Sequence, residues 1–424
     1  MSARPRAGLE LARAGVAQRR IVIVAGETSG DNLAAGLIAA LRARRPELEF
    51  AGVAGPRMVA AGCEAWAPAE RLAVMGLVEV LRHLPDLVRL RRAIVARVLA
   101  DPPLAFVGVD APEFNLSLAA RLHARGLATV QYVSPQVWAW RPGRVRRMAR
   151  ILDRVLCLLP FEKRFYDAAG LPATFVGHPL ADRLPLAPDR SAARAALGLP
   201  PGASVVALLP GSRRGEVERL AGDFIGAAAW LAARRPGTRF IVPLANAVAG
   251  SAFVAVLAAR TAAGTAPPGL TTTEGGADLA LTAADCALVA SGTATLEALL
   301  CKRPMVVAYR LAPLTAWLMR RLDLMKAPFF AQPNLLAGRA LVPELLQEAV
   351  TPQRLGAELL AWLEDPARVA AVAGEFTRLH LELRRNASEQ AAEAVLALID
   401  ARSARGAVPG ATAGPAPGGK GRDR

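Results

Sequence analysis

The sequence predicts an α/β protein of two Rossmann-like domains facing a cleft, with C-terminal helices packing back on the N-terminal domain. Two observations predict the class. Short apolar runs, many β-branched, recur at Ile21–Ala25, Leu104–Val109, Val205–Leu209, Cys286–Ala290 and Met305–Tyr309, as expected of strands buried on both faces of a parallel sheet. Most of them end in small or polar residues and hand over to a helix-forming stretch, which is where open α/β sheets place ligands. A third observation predicts the division: a Pro/Ala/Arg-rich segment near 183–203 resets the pattern in mid-chain. The expected organisation is a leader (1–20), an N-terminal domain (21–185), a linker (186–203), a C-terminal domain (204–340), C-terminal helices (341–401) and a tail (402–424).

Composition limits the partners. A net charge of +16 on 424 residues implies an anionic one: nucleic acid, an anionic membrane surface or a phosphorylated substrate. Only 5% of residues are aromatic, which weighs against base stacking. Cys63, Cys157, Cys286 and Cys301 are scattered without metal spacing and read as small buried hydrophobes. His83, His123, His178 and His380 form no paired-ligand pattern. No signal peptide is evident, and the first twenty residues read as a disordered basic leader. Phe240–Ala259 carries no charge, but Pro243, Asn246, Gly250 and Ser251 interrupt it, so a strand followed by a helix is expected rather than a membrane span.

In chain order, the strand Ile21–Ala25 runs into Gly26-Glu27-Thr28-Ser29-Gly30-Asp31 and then a helix over 33–44. This is not GxGxxG, so nothing points to a dinucleotide. A strand near Phe50–Val53, a turn at 55–58 and a helix carrying Cys63 are expected next. Over 72–95 apolar residues crowd with arginines, either as a basic amphipathic membrane surface or as a core helix with a solvated arginine face. The strand ending at Val109 meets Asp110-Ala111-Pro112-Glu113-Phe114-Asn115. A carboxylate there can serve as a general base, or Asp110 caps the following helix (116–126). After a strand at 129–133, Trp138 and Trp140 precede Arg141, Arg144, Arg146, Arg147 and Arg150, a pairing that suits a lipid headgroup interface or RNA. A strand over Leu152–Leu159 and a helix opened by Pro160-Phe161-Glu162 and running through Tyr166 lead to Phe175-Val176-Gly177-His178.

In the second half the strand Val205–Leu209 ends in Pro210-Gly211-Ser212-Arg213-Arg214, small residues around paired arginines that suit a diphosphate. The strand Cys286–Ala290 enters Ser291-Gly292-Thr293-Ala294-Thr295, and a helix leaves it. A helix start can hold a phosphate on backbone N–H groups, and Glu297 one turn on could accept bonds from two ribose hydroxyls; the alternative is an N-capped helix with Glu297 complementing the dipole. Met305–Tyr309 ends at Arg310, residues 311–327 read as helical, 332–338 as a polar turn and about 340–400 as helices. Two such halves, with no Asp-x-Asp metal dyad, fit a sugar-nucleotide transferase of the two-Rossmann-domain (GT-B) type.

The segments AGETSGD (25–31), GVAGPRM (52–58), LAVMGLVEVL (72–81), VGVDAPEFN (107–115), YVSPQVWAWR (132–141), LPFEKRFY (159–166), FVGHPLAD (175–182), LLPGSRRGEVE (208–218), ASGTATLEALL (290–300), PMVVAYR (304–310) and PNLLAGR (333–339) resemble the lipid-A-disaccharide synthase family, in that family's order and across about 21–395. The resemblance implies an inverting, metal-independent glycosyltransferase of lipid A biosynthesis at the cytoplasmic face of the inner membrane. It would join UDP-2,3-diacylglucosamine to 2,3-diacylglucosamine 1-phosphate (lipid X), giving a β-1,6-linked disaccharide 1-phosphate and UDP. The UDP-sugar is a substrate, no cofactor or metal is implied, and nucleic acid is not a partner; a homodimer is compatible.

On this resemblance Asp110 is the general base and Arg213 offsets charge on the leaving UDP. Gly211, Ser212, Ser291, Gly292, Thr293, Thr295, Glu297, Arg310 and Asn334 belong to the nucleotide side. Glu27, Ser29, Asp31 and Asn115 line the acceptor side. Val74, Met75, Leu77, Trp138, Trp140, Arg144 and Arg147 face membrane and acyl chains. His178 is read as packing at the hinge rather than as a base. A peptidoglycan-precursor N-acetylglucosamine transferase would share the C-terminal loop but not YVSPQVWAWR or VGVDAPEFN. An RNA-binding protein would leave the strand-end motifs idle.

Overall fold

The computed structural model describes residues 19–72, 77–135, 143–311, 321 and 328–406, and the side chains of all but 77–83 and 405–406 among them. The chain falls into two compact units, one of residues up to 132 with 150–155 and those from Ala391 on, the other of 133–149 and 156–390.

The first sheet is built from β1 (Arg20–Ala25), β2 (Glu49–Ala54), β3 (Cys63–Pro68), β4 (Ala105–Val109), β5 (Thr129–Tyr132), β6 (Arg154–Cys157) and β7 (Ala173–Phe175), in the order β3-β2-β1-β4-β5-β6-β7. The pairs among β1 to β5 are parallel. Ile21 through Ala25 are wholly inaccessible, as their apolar run requires of a strand covered on both faces. The chain winds outward from β1 to β3, then returns to place β4 on the other flank of β1. The carboxyl ends of β1 and β4 therefore form a switch point, where open α/β sheets bind ligands.

The second sheet repeats the scheme with β8 (Val205–Leu209), β9 (Arg239–Leu244), β10 (Leu270–Glu274), β11 (Cys286–Ala290), β12 (Met305–Tyr309) and β13 (Glu344–Leu346), ordered β10-β9-β8-β11-β12-β13 and parallel throughout. Its switch point lies between β8 and β11. Asp285, just before β11, accepts from Val205 N at 2.8 Å and pairs with Arg194 at 3.0 Å, tying the start of β8 to the segment before the sheet. That segment, expected as a linker, contains a helix (Arg190–Ala196), with Arg194 buried.

Several expected elements differ. The first helix begins at Glu27 rather than at 33, so the polar stretch 27–31 is its opening turn. The 55–58 turn is the start of a helix, Pro56–Ala60, and Cys63 lies on β3. β3 and β13 were missed because both are short and partly exposed, and an edge or polar strand lacks the continuous apolar signal. The helix after β4 spans Pro112–His123, not 116–126. Residues 332–337 form a helix, and the last helix, Ala387–Gly406, runs past the expected start of the tail; 407–424 lie outside the described residues. That last helix is fastened within the first unit by Arg45–Asp400 at 2.6 Å and Arg402–Asp153 at 3.1 Å. Over 77–100 one helix is present; Leu90, Ile94 and Val98 bury a single face at four-residue spacing, with Arg89, Arg92 and Arg97 exposed and Arg91 donating to Ser117 at 2.9 Å, so its described side chains read as a core helix. All four cysteines are free and buried.

Candidate active site

The first switch point is built around Asp110. The residue follows β4 directly, and its φ of +54°, with +39° at Ala111, turns the chain sharply into the helix Pro112–His123. Ala111, not Asp110, occupies the N-cap position of that helix. Its half-buried carboxylate accepts from Ser29 Oγ at 3.5 Å. Ser29 sits exposed in the first turn of the helix after β1, and Glu27, also at positive φ, opens that turn. Glu27, Ser29 and Asp110 thus share one sheet edge, as the motifs require.

Two residues assigned to the acceptor side have other duties. Asp31 is buried, and its carboxylate accepts from the backbone N–H groups of Gly55, Arg57 and Met58 at 2.9–3.1 Å. It caps the helix Pro56–Ala60 across the loop after β2, a structural use of a buried carboxylate. Asn115 is fully buried, with Nδ2 donating to Asp110 O at 2.9 Å and Val24 O at 3.1 Å. It braces the strand ends instead of lining the acceptor side.

The second switch point carries the anion-binding features. Arg213 is exposed at the N-cap position of the helix Arg214–Arg234 and pairs with Glu216 at 3.3 Å. Gly211 has φ +127°, and a Cβ there would stand 2.8 Å from Glu216 Cβ. Asn246 holds the loop by donating to Ser212 O at 2.9 Å while capping the next helix through Ala249 N. Across the sheet, Gly292 (φ +152°) and Thr293 are exposed at the start of the helix Thr293–Leu300, with Ser291 donating to Phe330 O at 3.2 Å. Glu297 is partly buried, its carboxylate makes no hydrogen bond or ion pair among the described residues, and desolvation, then Asp278, push its carboxyl above the usual range while Arg183 opposes them.

Three residues expected at the nucleotide are committed to bonds within the protein. Thr295 is inaccessible; its Oγ1 donates to Gly292 O at 2.8 Å and accepts from Gln332 N at 3.2 Å, so it shapes the loop from behind. Asn334 lies in a helix, and its amide is saturated by Val342 O, Glu344, Leu341 N and Val342 N at 2.7–3.0 Å. Arg310 pairs with Asp223 at 2.5 Å and donates to Val350 O and Arg219 O, clamping the end of β12 to the helix Arg214–Arg234. Burial raises the Asp223 carboxyl despite Arg310 beside it.

Sequence reasoning passed over Glu344, on the missed β13, which receives the N–H groups of Phe330 and Ala331 and the Asn334 amide. It also passed over Tyr309, stacked on Phe330 with ring centroids 6.1 Å apart beneath the same edge. An aromatic at the end of a predicted strand, next to a flagged arginine, was the available signal.

A family model described as lipid-A-disaccharide synthetase matches residues 21–397. The chain belongs to this family. Its match covers both switch points and every described site residue. Among curated relatives, the lipid-A-disaccharide synthase of Alkalilimnicola ehrlichii is 56% identical over 380 residues, 89% of this chain and 98% of that protein. That of Pseudomonas aeruginosa is 51% identical over 383 residues, 90% and 99%. The fold is that of GT-B glycosyltransferases. The calicheamicin glycosyltransferase CalG4 aligns with TM-score 0.59 at 19% identity over 91% of this chain and 99% of its own. A UDP-GlcNAc 2-epimerase from Neisseria meningitidis, bound to UDP-GlcNAc, aligns with TM-score 0.60 at 12% identity over 89% and 100%.

Within this family's frame, the residues read as membrane-facing are only partly placed. Val74, Met75, Trp138 and Trp140 lie outside the described residues, as does the Leu77 side chain. Arg144 is half-buried and Arg147 exposed on the short helix Gly143–Met148, which buries Val145 and Met148. Among the described residues no helix is long and apolar enough to cross a membrane, and no three His, Cys, Asp or Glu side chains gather as metal ligands would. His178 caps the helix Pro179–Arg183 through Nδ1, accepting from Leu180 N at 3.2 Å, and burial lowers its pKa to about 4. That is a structural post for a neutral imidazole.

Proposed function

We propose that this chain transfers the 2,3-diacylglucosaminyl group of UDP-2,3-diacylglucosamine to the 6-hydroxyl of lipid X, releasing UDP and forming the β-1,6-linked disaccharide 1-phosphate. Asp110 takes the proton from the acceptor hydroxyl as that oxygen bonds to the sugar's anomeric carbon. The bond from that carbon to the UDP oxygen breaks on the opposite side, inverting the configuration. Arg213 and the helix beginning at Thr293 carry the negative charge that builds on the departing diphosphate. Gly211, Ser212, Ser291 and Gly292 bring backbone close to the phosphates, and Glu297 receives the ribose hydroxyls. Glu27 and Ser29 order the acceptor beside Asp110. The observation that carries the reading is the carboxylate held on a left-handed turn at the first switch point of a chain of this family.

The reaction in this reading needs no metal, because guanidinium and helix amides do the charge stabilisation. The enzyme works at the cytoplasmic face of the inner membrane, docked on anionic phospholipid through Val74, Met75, Leu77, Trp138, Trp140 and the arginines around Arg144 and Arg147. Extracting acyl chains into water would cost about 0.8 kcal/mol per methylene, which interfacial docking avoids. A homodimer is compatible with this arrangement, and nucleic acid has no part in it. The test combines purified protein with the two acylated substrates and follows UDP release and product mass. UDP and the disaccharide 1-phosphate are expected at equal yield with saturating chelator present. Absence of product from this pair overturns the substrate assignment, and a loss that magnesium restores overturns the metal-free step. Salt-sensitive co-sedimentation with anionic vesicles is expected, weakened by Arg146→Glu with Arg147→Glu; binding indifferent to both changes would reduce these arginines to a solvated face.

A further inference from the structure

Two buried amides converge on the backbone carbonyl of Asp110. Asn115 Nδ2, from the helix Pro112–His123, donates to it at 2.9 Å, and Gln131 Nε2, from β5, donates at 3.1 Å. Both side chains are within 1% of full burial. Each is anchored elsewhere as well: Asn115 to Val24 O on β1 at 3.1 Å and Val109 O on β4 at 3.4 Å, Gln131 to Tyr132 O at 3.3 Å. The Asp110 N–H in turn donates to Tyr132 O at 3.0 Å. Three neighbouring strands and a helix therefore triangulate one peptide.

That peptide is where the chain is strained. Asp110 and Ala111 both take positive φ, a conformation that Asp tolerates but that two consecutive residues, one of them alanine, hold only where the surroundings support it. One donor would satisfy the carbonyl; two from different elements fix its direction. Asn115 gives up its own satisfaction in doing so, since its Oδ1 is buried with no partner among the described residues while its Nδ2 faces three carbonyl oxygens. Buried amides are ordinarily paired at both ends, and an orphaned end in a native core calls for a reason.

We propose that Gln131 and Asn115 are positioning residues for the reaction, holding Asp110 in the left-handed turn that aims its carboxylate at the acceptor hydroxyl. The inference rests on Asp110 being the base. Neither amide touches substrate; both act through one carbonyl oxygen. Misplacing a reacting group by about 1 Å can cost on the order of a hundredfold in rate, so loss of one of two clamps should cost about tenfold or more in kcat.

The experiment is a double-mutant cycle on the full-length chain. Gln131→Met removes both donated bonds at similar volume. It is expected to lower kcat about tenfold while the KM for either substrate and the affinity for UDP change less than about twofold. Asp110→Asn and the Asp110→Asn/Gln131→Met pair are expected to share the same residual rate, measured under single-turnover conditions, because a clamp has nothing to aim once the base is gone. Losses that multiply, or a Gln131→Met loss that appears in KM or tracks the unfolded fraction, overturn the proposal and leave Gln131 a core-stabilising amide. Should Gln131→Met not fold, Gln131→Glu serves in the same cycle with the same two readings. Near-normal turnover in Asp110→Asn alone would instead sink the base assignment, and the positioning role with it.

Discussion

At the switch point of the first sheet the residues with positive φ are Glu27, Asp110 and Ala111, whereas at that of the second they are Gly211 and Gly292. The two edges share a winding scheme and a place in the sheet, yet they meet the need for a sharp turn in different ways. In the proposed reaction the ligand-facing groups of the second edge are backbone N–H and one guanidinium, so glycine can take the turn at no steric cost and let a phosphate approach. The proposed working group of the first edge is a side chain, so the turn must be made by a residue that has one. The strain this costs, of order 1–3 kcal/mol per residue, is met by buried hydrogen bonds from Asn115 and Gln131. Chemistry done by side chain and chemistry done by main chain leave different residues at equivalent places.

The largest test of this contrast is Asp110→Asn. Asparagine tolerates the left-handed turn, so the backbone stays while the proton acceptor goes; turnover should fall by at least about a hundredfold with UDP affinity largely kept. Equal damage to UDP binding would mean that the two edges do not divide the work as described. A smaller effect is expected from Gly211→Ala. Its φ of +127° and the 2.8 Å approach to Glu216 Cβ mean that the loop must shift. The cost should be about 1–3 kcal/mol of stability and weaker UDP binding, seen by calorimetry, with the rate at saturating donor changed less than the KM. If the alanine variant binds UDP normally, the glycine is not there for the phosphate.

The smallest effect separates both edges from the body of the second unit. Burial lowers the His178 pKa from 6.5 to about 4, so between those values the unfolded chain binds a proton that the folded chain refuses. Stability should therefore fall as the pH drops from about 6.5 to about 4, by a few degrees in melting temperature. Burial lowers the His380 ring as well, so it adds in the same direction. His178→Gln should flatten the decline without altering the pH profile of kcat, which belongs to the Asp110 edge. A profile of kcat that moves with His178 would place that ring in the chemistry after all.

Strands β8, β11 and β12 were legible to the residue, because a strand covered on both faces must be apolar throughout and only such a run reads that way. That Asp110, Arg213 and the Ser291–Thr293 turn stand at the strand ends of the two switch points was legible because ligand sites of open sheets collect where such runs end. What each polar residue does there was not. Asp31 and Thr295 stand in the same motifs as residues of the proposed reaction, and nothing local distinguishes a carboxylate proposed as a base from one capping a helix a strand away at Gly55–Met58. Gln131 sits within a strand, flanked by Val130 and Tyr132, and reads as filler. Its amide acquires a purpose only because β5 lies beside β4 and delivers it to the carbonyl of Asp110. An apolar run announces its own burial by its composition and can be read along the chain. Hydrogen-bond partners more than twenty residues away are fixed by strand order and register, which the tertiary structure alone decides.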